Sequence, residues 1–214
     1  MQFIYLHGFA SGPLSSKAVY FRENLEKLGH TVKVPDLNLP DFSTLTISRM
    51  LKQLKPLIGS KKTVLIGSSL GGLTAALAAQ SHKNVIAMIL MAPAFEISSR
   101  RVSRLSKADY RNWQKTGFRK YMHYAHNIEY NLHYKFIQDA EKQDAKKFRR
   151  KLPTLIFHGI HDEVVPFEVS VNYLQNHHEA KLLLFNSDHS LSDKIQEIWQ
   201  MSRDFLVSEK IVKN

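Results

Sequence analysis

Short apolar runs alternate along this chain with stretches whose apolar residues recur every three or four positions. Residues 2–6 (QFIYL), 31–34 (TVKV), 63–66 (TVLI), 85–91 (VIAMILM), 154–157 (TLIF) and 182–185 (LLLF) have strand length and are bounded by turn residues. Between them lie helical patterns. Residues 16–28 carry Phe21, Leu25 and Leu28 on one face and stop at Gly29. A second helix, capped by Ser43 or Thr44, carries Ile47, Met50, Leu51, Leu54 and Leu57. An Ala- and Leu-rich helix follows Gly71, another runs from Pro166 through Leu174, and a last one spans 192–206 with Ile195, Ile198, Trp199 and Phe205 inward. Strand and helix in alternation predict an α/β fold, a mainly parallel sheet of about six strands with helices on both faces. The interval 95–151 breaks the alternation. It offers no clear strand and predicts a helical insertion over the C-terminal edge of the sheet, between core segments 1–94 and 152–214.

One stretch carries a chemical signature. Residues 62–80 (KTVLIGSSLGGLTAALAAQ) read as a buried strand, a glycine-crowded turn and a helix. Gly67-Ser68-Ser69-Leu70-Gly71 fits G-x-S-x-G, in which a serine sits on a sharp strand-to-helix turn and a side chain at either glycine would collide with its neighbours. The register makes Ser69 the candidate nucleophile.

A serine hydroxyl needs a base to take its proton, and the base needs an acid to hold its tautomer. In α/β-hydrolases the acid and the histidine follow the serine in that chain order. Asp162, in HGIHDEVVP just past the fifth strand, is the candidate acid. Glu163 stands one position closer to the helix and should face solvent. Among 11 histidines, His189 is the one between the last strand and the last helix, and it is the candidate base. His177 and His178 fall in a polar cluster at a helix end and read as solvated. His158 reads as a structural neighbour of the acid loop, and His7 as a brace for its own loop. His123, His126 and His133 lie in the insertion without a carboxylate pattern, so no metal site is expected. The oxyanion of a tetrahedral intermediate needs two amide donors. Leu70, after the nucleophile, supplies one, and Phe9 in the loop after the first strand supplies the other.

Composition narrows the setting. No run approaches the roughly 18 apolar residues of a membrane span, and the opening MQFIYLHGF lacks the basic n-region of a signal peptide, so a cytoplasmic protein is expected. With no cysteine, thiol nucleophiles and cysteine-ligated metals are excluded. The net charge of +11 is concentrated: residues 97–151 hold 15 Lys and Arg against 5 Asp and Glu. This basic segment also carries Tyr110, Trp113, Phe118, Tyr121 and Tyr124. The clusters Arg100-Arg101-x-x-Arg104 and Lys146-Lys147-x-Arg149-Arg150-Lys151 are compact enough for phosphate contacts. Besides a solvated surface, they suit an anionic ester substrate or a polyanion such as RNA or an acidic lipid surface. No nucleic-acid-binding motif accompanies them.

The opening HGFASGPLSSK, the elbow GSSLGG, the acid loop HGIHDEVVP and the late Asp188-His189 together resemble the YqiA/YcfP-like esterases, compact members of the α/β-hydrolase superfamily. The likeness departs at Gly12, where that family often has a second serine. It does not extend to the basic segment, so no substrate carries over. It implies a cytoplasmic esterase or thioesterase without cofactor, with Ser69 as nucleophile, Asp162 as acid and His189 as base. The competing expectation is a hydrolase scaffold with an idle triad whose basic insertion binds polyanions.

Overall fold

The computed structural model describes residues 1–144 and 148–213. In chain order the elements are β1 (Gln2–Leu6), α1 (Ser16–Lys27), β2 (Val32–Lys33), α2 (Ile47–Ile58), β3 (Thr63–Ser68), α3 (Leu70–Ser81) and β4 (Val85–Met91). Then follow α4 (Ile97–Ser103), α5 (Lys107–Thr116), β5 (Phe118–His123), β6 (Ile128–His133) and α6 (Lys135–Asp144). The chain closes with β7 (Thr154–Gly159), α7 (Glu168–Leu174), β8 (Ala180–Phe185) and α8 (Ile195–Ser208). Six strands form one parallel sheet in the order β2-β1-β3-β4-β7-β8.

The period-two alternation of the strands divides the core. Phe3 and Tyr5 of β1 and Val64 and Ile66 of β3 face α1 and α8, where Phe21, Leu25, Ile198 and Phe205 meet them. Ile4, Leu6 and Leu65 face the other way, toward Met50 and Leu54 of α2 and Leu73 and Leu77 of α3. β1, β3 and β7 are buried along their whole length, as strands covered on both faces must be. Successive strands from β1 leave in opposite directions, β2 to one side and β3 to the other. The crevice beyond the C-terminal ends of β1 and β3 is thus a topological switch point, where open α/β sheets bind ligands.

Three expectations are corrected. α2 is capped by neither Ser43 nor Thr44: Phe42–Thr44 form a 3-10 turn capped by Asp41, and the Thr46 hydroxyl accepts the Arg49 amide at 3.1 Å. His177 is buried, 3% exposed, with its ring stacked on Tyr173 at 3.9 Å, whereas His178 is exposed. The interval 95–151 is not purely helical. β5 and β6 form an antiparallel hairpin registered from Phe118↔His133 to His123↔Ile128, reversing at Asn127 with φ 55°. Arg119, Tyr121 and His123 lie on its more buried side, with Tyr130 and Leu132. The hairpin is held from behind by Trp113 of α5, whose indole N–H donates to the Leu132 carbonyl at 2.9 Å.

The second basic cluster also reads differently. Lys146 and Lys147 lie outside the described residues, as does the side chain of Arg101 in the first cluster. Arg150 is structural: its guanidinium donates to the carbonyls of Ala79, His82, Lys83 and Val85 at 2.5–2.9 Å. A cation there satisfies carbonyls around the end of α3 and complements its dipole. No described helix is long and apolar enough to cross a membrane.

Candidate active site

The turn from β3 into α3 is forced by contacts that only glycine permits. A Cβ on Gly67 would stand 2.5 Å from the Gly71 carbonyl oxygen, and one on Gly71 would overlap the Leu6 carbonyl of β1. With both positions bare, α3 presses against the sheet and the residue between them is lifted above it. Ser69 takes φ 52° and ψ −116°, a conformation that costs a non-glycine residue about 1–3 kcal/mol. The surroundings enforce it. The Ser69 amide donates to Met91 at 2.9 Å, while its carbonyl accepts from Leu73 at 3.1 Å and Ala94 at 3.0 Å.

Above this turn three sequence-predicted side chains meet. The Ser69 hydroxyl donates to His189 Nε2 at 3.1 Å, and His189 Nδ1–H donates to Asp162 Oδ2 at 2.7 Å. They arrive on separate loops, after β3, β7 and β8, all at the C-terminal edge of the sheet. The Asp162 side chain is fully buried, and the His189 side chain is 24% exposed. Asp162 Oδ1 accepts the amides of Val164 and Val165 at 2.8 and 2.7 Å. Burial by itself pushes the Asp162 carboxyl up. Hydrogen bonds from His158 and His189, the charge of His189 and the Val165 amide outweigh it and hold the carboxyl well below the usual carboxylate range. Glu163 faces solvent.

Two residues do more here than their sequence context suggested. His158, fully buried on β7, shares its Nε2–H between Asp162 Oδ2 at 3.1 Å and the Val165 carbonyl at 2.8 Å. Its Nδ1 accepts the Ser170 hydroxyl at 2.8 Å, so one tautomer satisfies all three contacts. It therefore fixes the Asp162 carboxylate as well as packing beside it. Lys17 of α1 reaches the other loop and donates to the carbonyl of Ser190, next to His189. Burial pushes its ammonium down to about 8, with Asp188 and Asp162 acting to hold it up. The signal for Lys17 was present in the sequence, since it closes the HGFASGPLSSK opening. For a relay that hydrolyses esters, Lys17→Met should lower kcat about 10-fold with little change in KM, because it loosens the loop that carries His189. A rise in KM with kcat preserved would show that Lys17 serves binding instead.

Phe9 and Leu70, the expected oxyanion donors, line one cavity with Ser69, of about 110 Å³. Leu70 opens α3, whose first-turn amides have no partner within the helix. The loop that carries Phe9 runs against Ser69: a Cβ on Gly8 would be 3.5 Å from Ser69 Cβ. His7 braces that loop, its Nδ1–H donating to the Gly8 carbonyl at 2.9 Å and its Nε2 accepting the Leu37 amide at 3.0 Å. The Phe9 ring packs among Phe42, Tyr121 and Phe136, and the Tyr124 amide donates to Ala10 at 2.8 Å. The hairpin thus props the Phe9 loop from the side. His123 and His126 stack on each other at 4.4 Å while His133 lies against Phe118, and among the described residues no three potential ligands converge on one point.

This architecture has many counterparts among solved structures. The mouse α/β hydrolase domain-containing protein 10 superposes with a TM-score of 0.82 at 22% identity, over 97% of this chain and 90% of that one. Est1E from Butyrivibrio proteoclasticus, solved with ferulic acid bound, gives 0.81 at 21% identity, over 97% and 88%. A monoacylglycerol lipase from Paleococcus ferrophilus gives 0.75 at 16% identity, over 97% and 94%. At these identities the likeness establishes the α/β-hydrolase fold. No curated protein matches the chain in sequence. A family model does match, over residues 2–206, and the chain belongs to the Uncharacterised protein family UPF0227, the YqiA/YcfP-like family.

Proposed function

We propose that this protein is a serine hydrolase that cleaves carboxylic esters or thioesters through an acyl-enzyme on Ser69. The observation that carries this reading is the relay from Ser69 through His189 to Asp162, at 3.1 and 2.7 Å, beneath a nucleophile held at positive φ. His189 Nε2 takes the hydroxyl proton as Ser69 Oγ attacks the carbonyl carbon. Asp162 keeps the Nδ1–H tautomer and stabilises the imidazolium that forms. The amides of Phe9 and Leu70 receive the developing oxyanion. His189 returns the proton to the departing alkoxide or thiolate, then takes one from the water that attacks the acyl-enzyme and gives it to Ser69 Oγ as the acid leaves. These steps need no cofactor.

In this reading residues 95–151 act as a lid. The hairpin shapes the loop of Phe9, and α4 contributes Ile97 and Arg100 to the wall of the cavity, with Arg104 just past its end. Substrates are small molecules, and the basic segment favours anionic ones. A stopped-flow assay with p-nitrophenyl butyrate tests the mechanism. Release of p-nitrophenol in a burst equal to the enzyme concentration, followed by slower turnover, is expected if deacylation limits. Where acylation limits, a shared butyryl-enzyme is read from partitioning: added methanol should divide the acyl product between butyrate and methyl butyrate in the same ratio for p-nitrophenyl butyrate and butyryl-N-acetylcysteamine. No burst together with a partition ratio that changes with the leaving group, or no turnover of any ester or thioester, contradicts the reading.

A further inference from the structure

The cavity that holds Ser69 also borders a charge without a partner among the described residues. Arg100 of α4 lines it together with Phe9, Ser69 and Leu70. Both terminal nitrogens of its guanidinium are buried from solvent, and among the described residues neither has a hydrogen-bond acceptor. Among the described residues no carboxylate stands within ion-pair distance of it; Glu96 and Asp144 act on it from further away. A guanidinium stays charged throughout the working range of pH, so it carries this desolvation as a cation. The contrast with Arg150 is sharp, since each terminal nitrogen of Arg150 donates to two carbonyls. An arginine with a structural task is saturated here, and Arg100 is not.

Its placement is also fixed. α4 begins on an anchor: the Ser98 amide and hydroxyl donate to Asp144 Oδ2 at 2.7 and 2.6 Å, two residues before Arg100, whose own amide donates to the Glu96 carbonyl at 3.4 Å. Arg104, four residues on, also borders the cavity but is exposed. The two cations therefore have different physics. Arg104 is screened by salt and acts on the encounter, whereas Arg100 has little hydration to surrender when an anion reaches it.

We propose that Arg100 is the specificity residue of this site and binds an anionic group, a carboxylate or a phosphate, carried by the ester or thioester substrate. The planar fork offers two parallel N–H donors to two oxygens of either group. Arg104 at the rim adds steering. The proposal rests on Ser69 being the nucleophile, because it assigns the pocket beside Ser69 to substrate.

Two matched pairs of substrates test it and separate the two anion types. p-Nitrophenyl hydrogen glutarate against p-nitrophenyl pentanoate varies a carboxylate on the acyl side. Butyryl-CoA against butyryl-N-acetylcysteamine varies phosphates on the thiol side. In at least one pair the wild type should prefer the anionic member. Arg100→Met should lower kcat/KM for that member about 10- to 100-fold, mainly through KM, and leave the neutral member within about twofold. Arg100→Lys, which keeps the charge and loses the fork, should fall between them and keeps the test open if the Met variant does not fold. Fluorophosphonate labelling of Ser69 is measured on every variant. Normal labelling with equal losses on charged and neutral members, or with no preference in the wild type, overturns the role of Arg100 alone. Failure of folded wild type to label overturns the nucleophile reading itself, and the assignment of Arg100 falls with it.

Discussion

Ser69→Ala is expected to lower kcat/KM for p-nitrophenyl butyrate by roughly 10⁴- to 10⁶-fold, down to the residue left by binding and oxyanion stabilisation. The size follows from the position of Ser69 at the head of the relay, where no other hydroxyl contacts His189 Nε2 among the described hydrogen bonds. The fold should survive the change. Alanine meets the same backbone demand at φ 52° as serine, and the bond lost is a partly exposed one, worth about 1 kcal/mol. Activity and the thermal midpoint, measured on the same preparation, check both halves. A variant that keeps a tenth of the activity would place the nucleophile elsewhere.

Asp162→Asn carries the second large effect, a drop in kcat of about 10³- to 10⁴-fold. Oδ1 of Asp162 accepts two backbone amides, so an asparagine that keeps those bonds points its NH₂ at His158 and His189. His189 Nδ1 must then accept, its proton moves to Nε2, and the base facing Ser69 becomes a donor. The same substitution tests the carboxyl's ionisation. The folded pKa of Asp162 lies below the unfolded value of about 3.9, so the folded state binds fewer protons between the two. Its stabilisation is complete above about pH 4 and is lost as pH falls through the folded value. Acid unfolding of Asp162→Asn should therefore depend less steeply on pH below about 4 than that of the wild type. Parallel curves would contradict the depressed carboxyl.

The parts of the site that sequence made legible are those with a steric or topological reason. Gly67 and Gly71 mark the elbow because any side chain there meets backbone. Asp162 and His189 stand out because loops after parallel strands emerge at one edge. What escaped depends on contacts distant in sequence. The β5–β6 hairpin escaped because β5 (FRKYMH) lacks the period-two alternation that β6 (IEYNLH) has; Asn127 at its reversal was the missed turn signal. His177 looked solvated among polar neighbours, yet Tyr173 one turn earlier covers its ring. Arg150 sat in a run of charge, and only the fold shows that it meets carbonyls around the end of α3. Arg100 and Arg104 likewise looked like one cluster, and burial separates them.

Intact-mass analysis after fluorophosphonate treatment, on wild type and Ser69→Ala side by side, asks most directly whether the relay activates its serine. One adduct per wild-type chain, mapped to the peptide containing Ser69 and missing from the variant, is the expected result. No adduct on folded wild type, or an adduct formed equally by the variant, would contradict a nucleophilic Ser69.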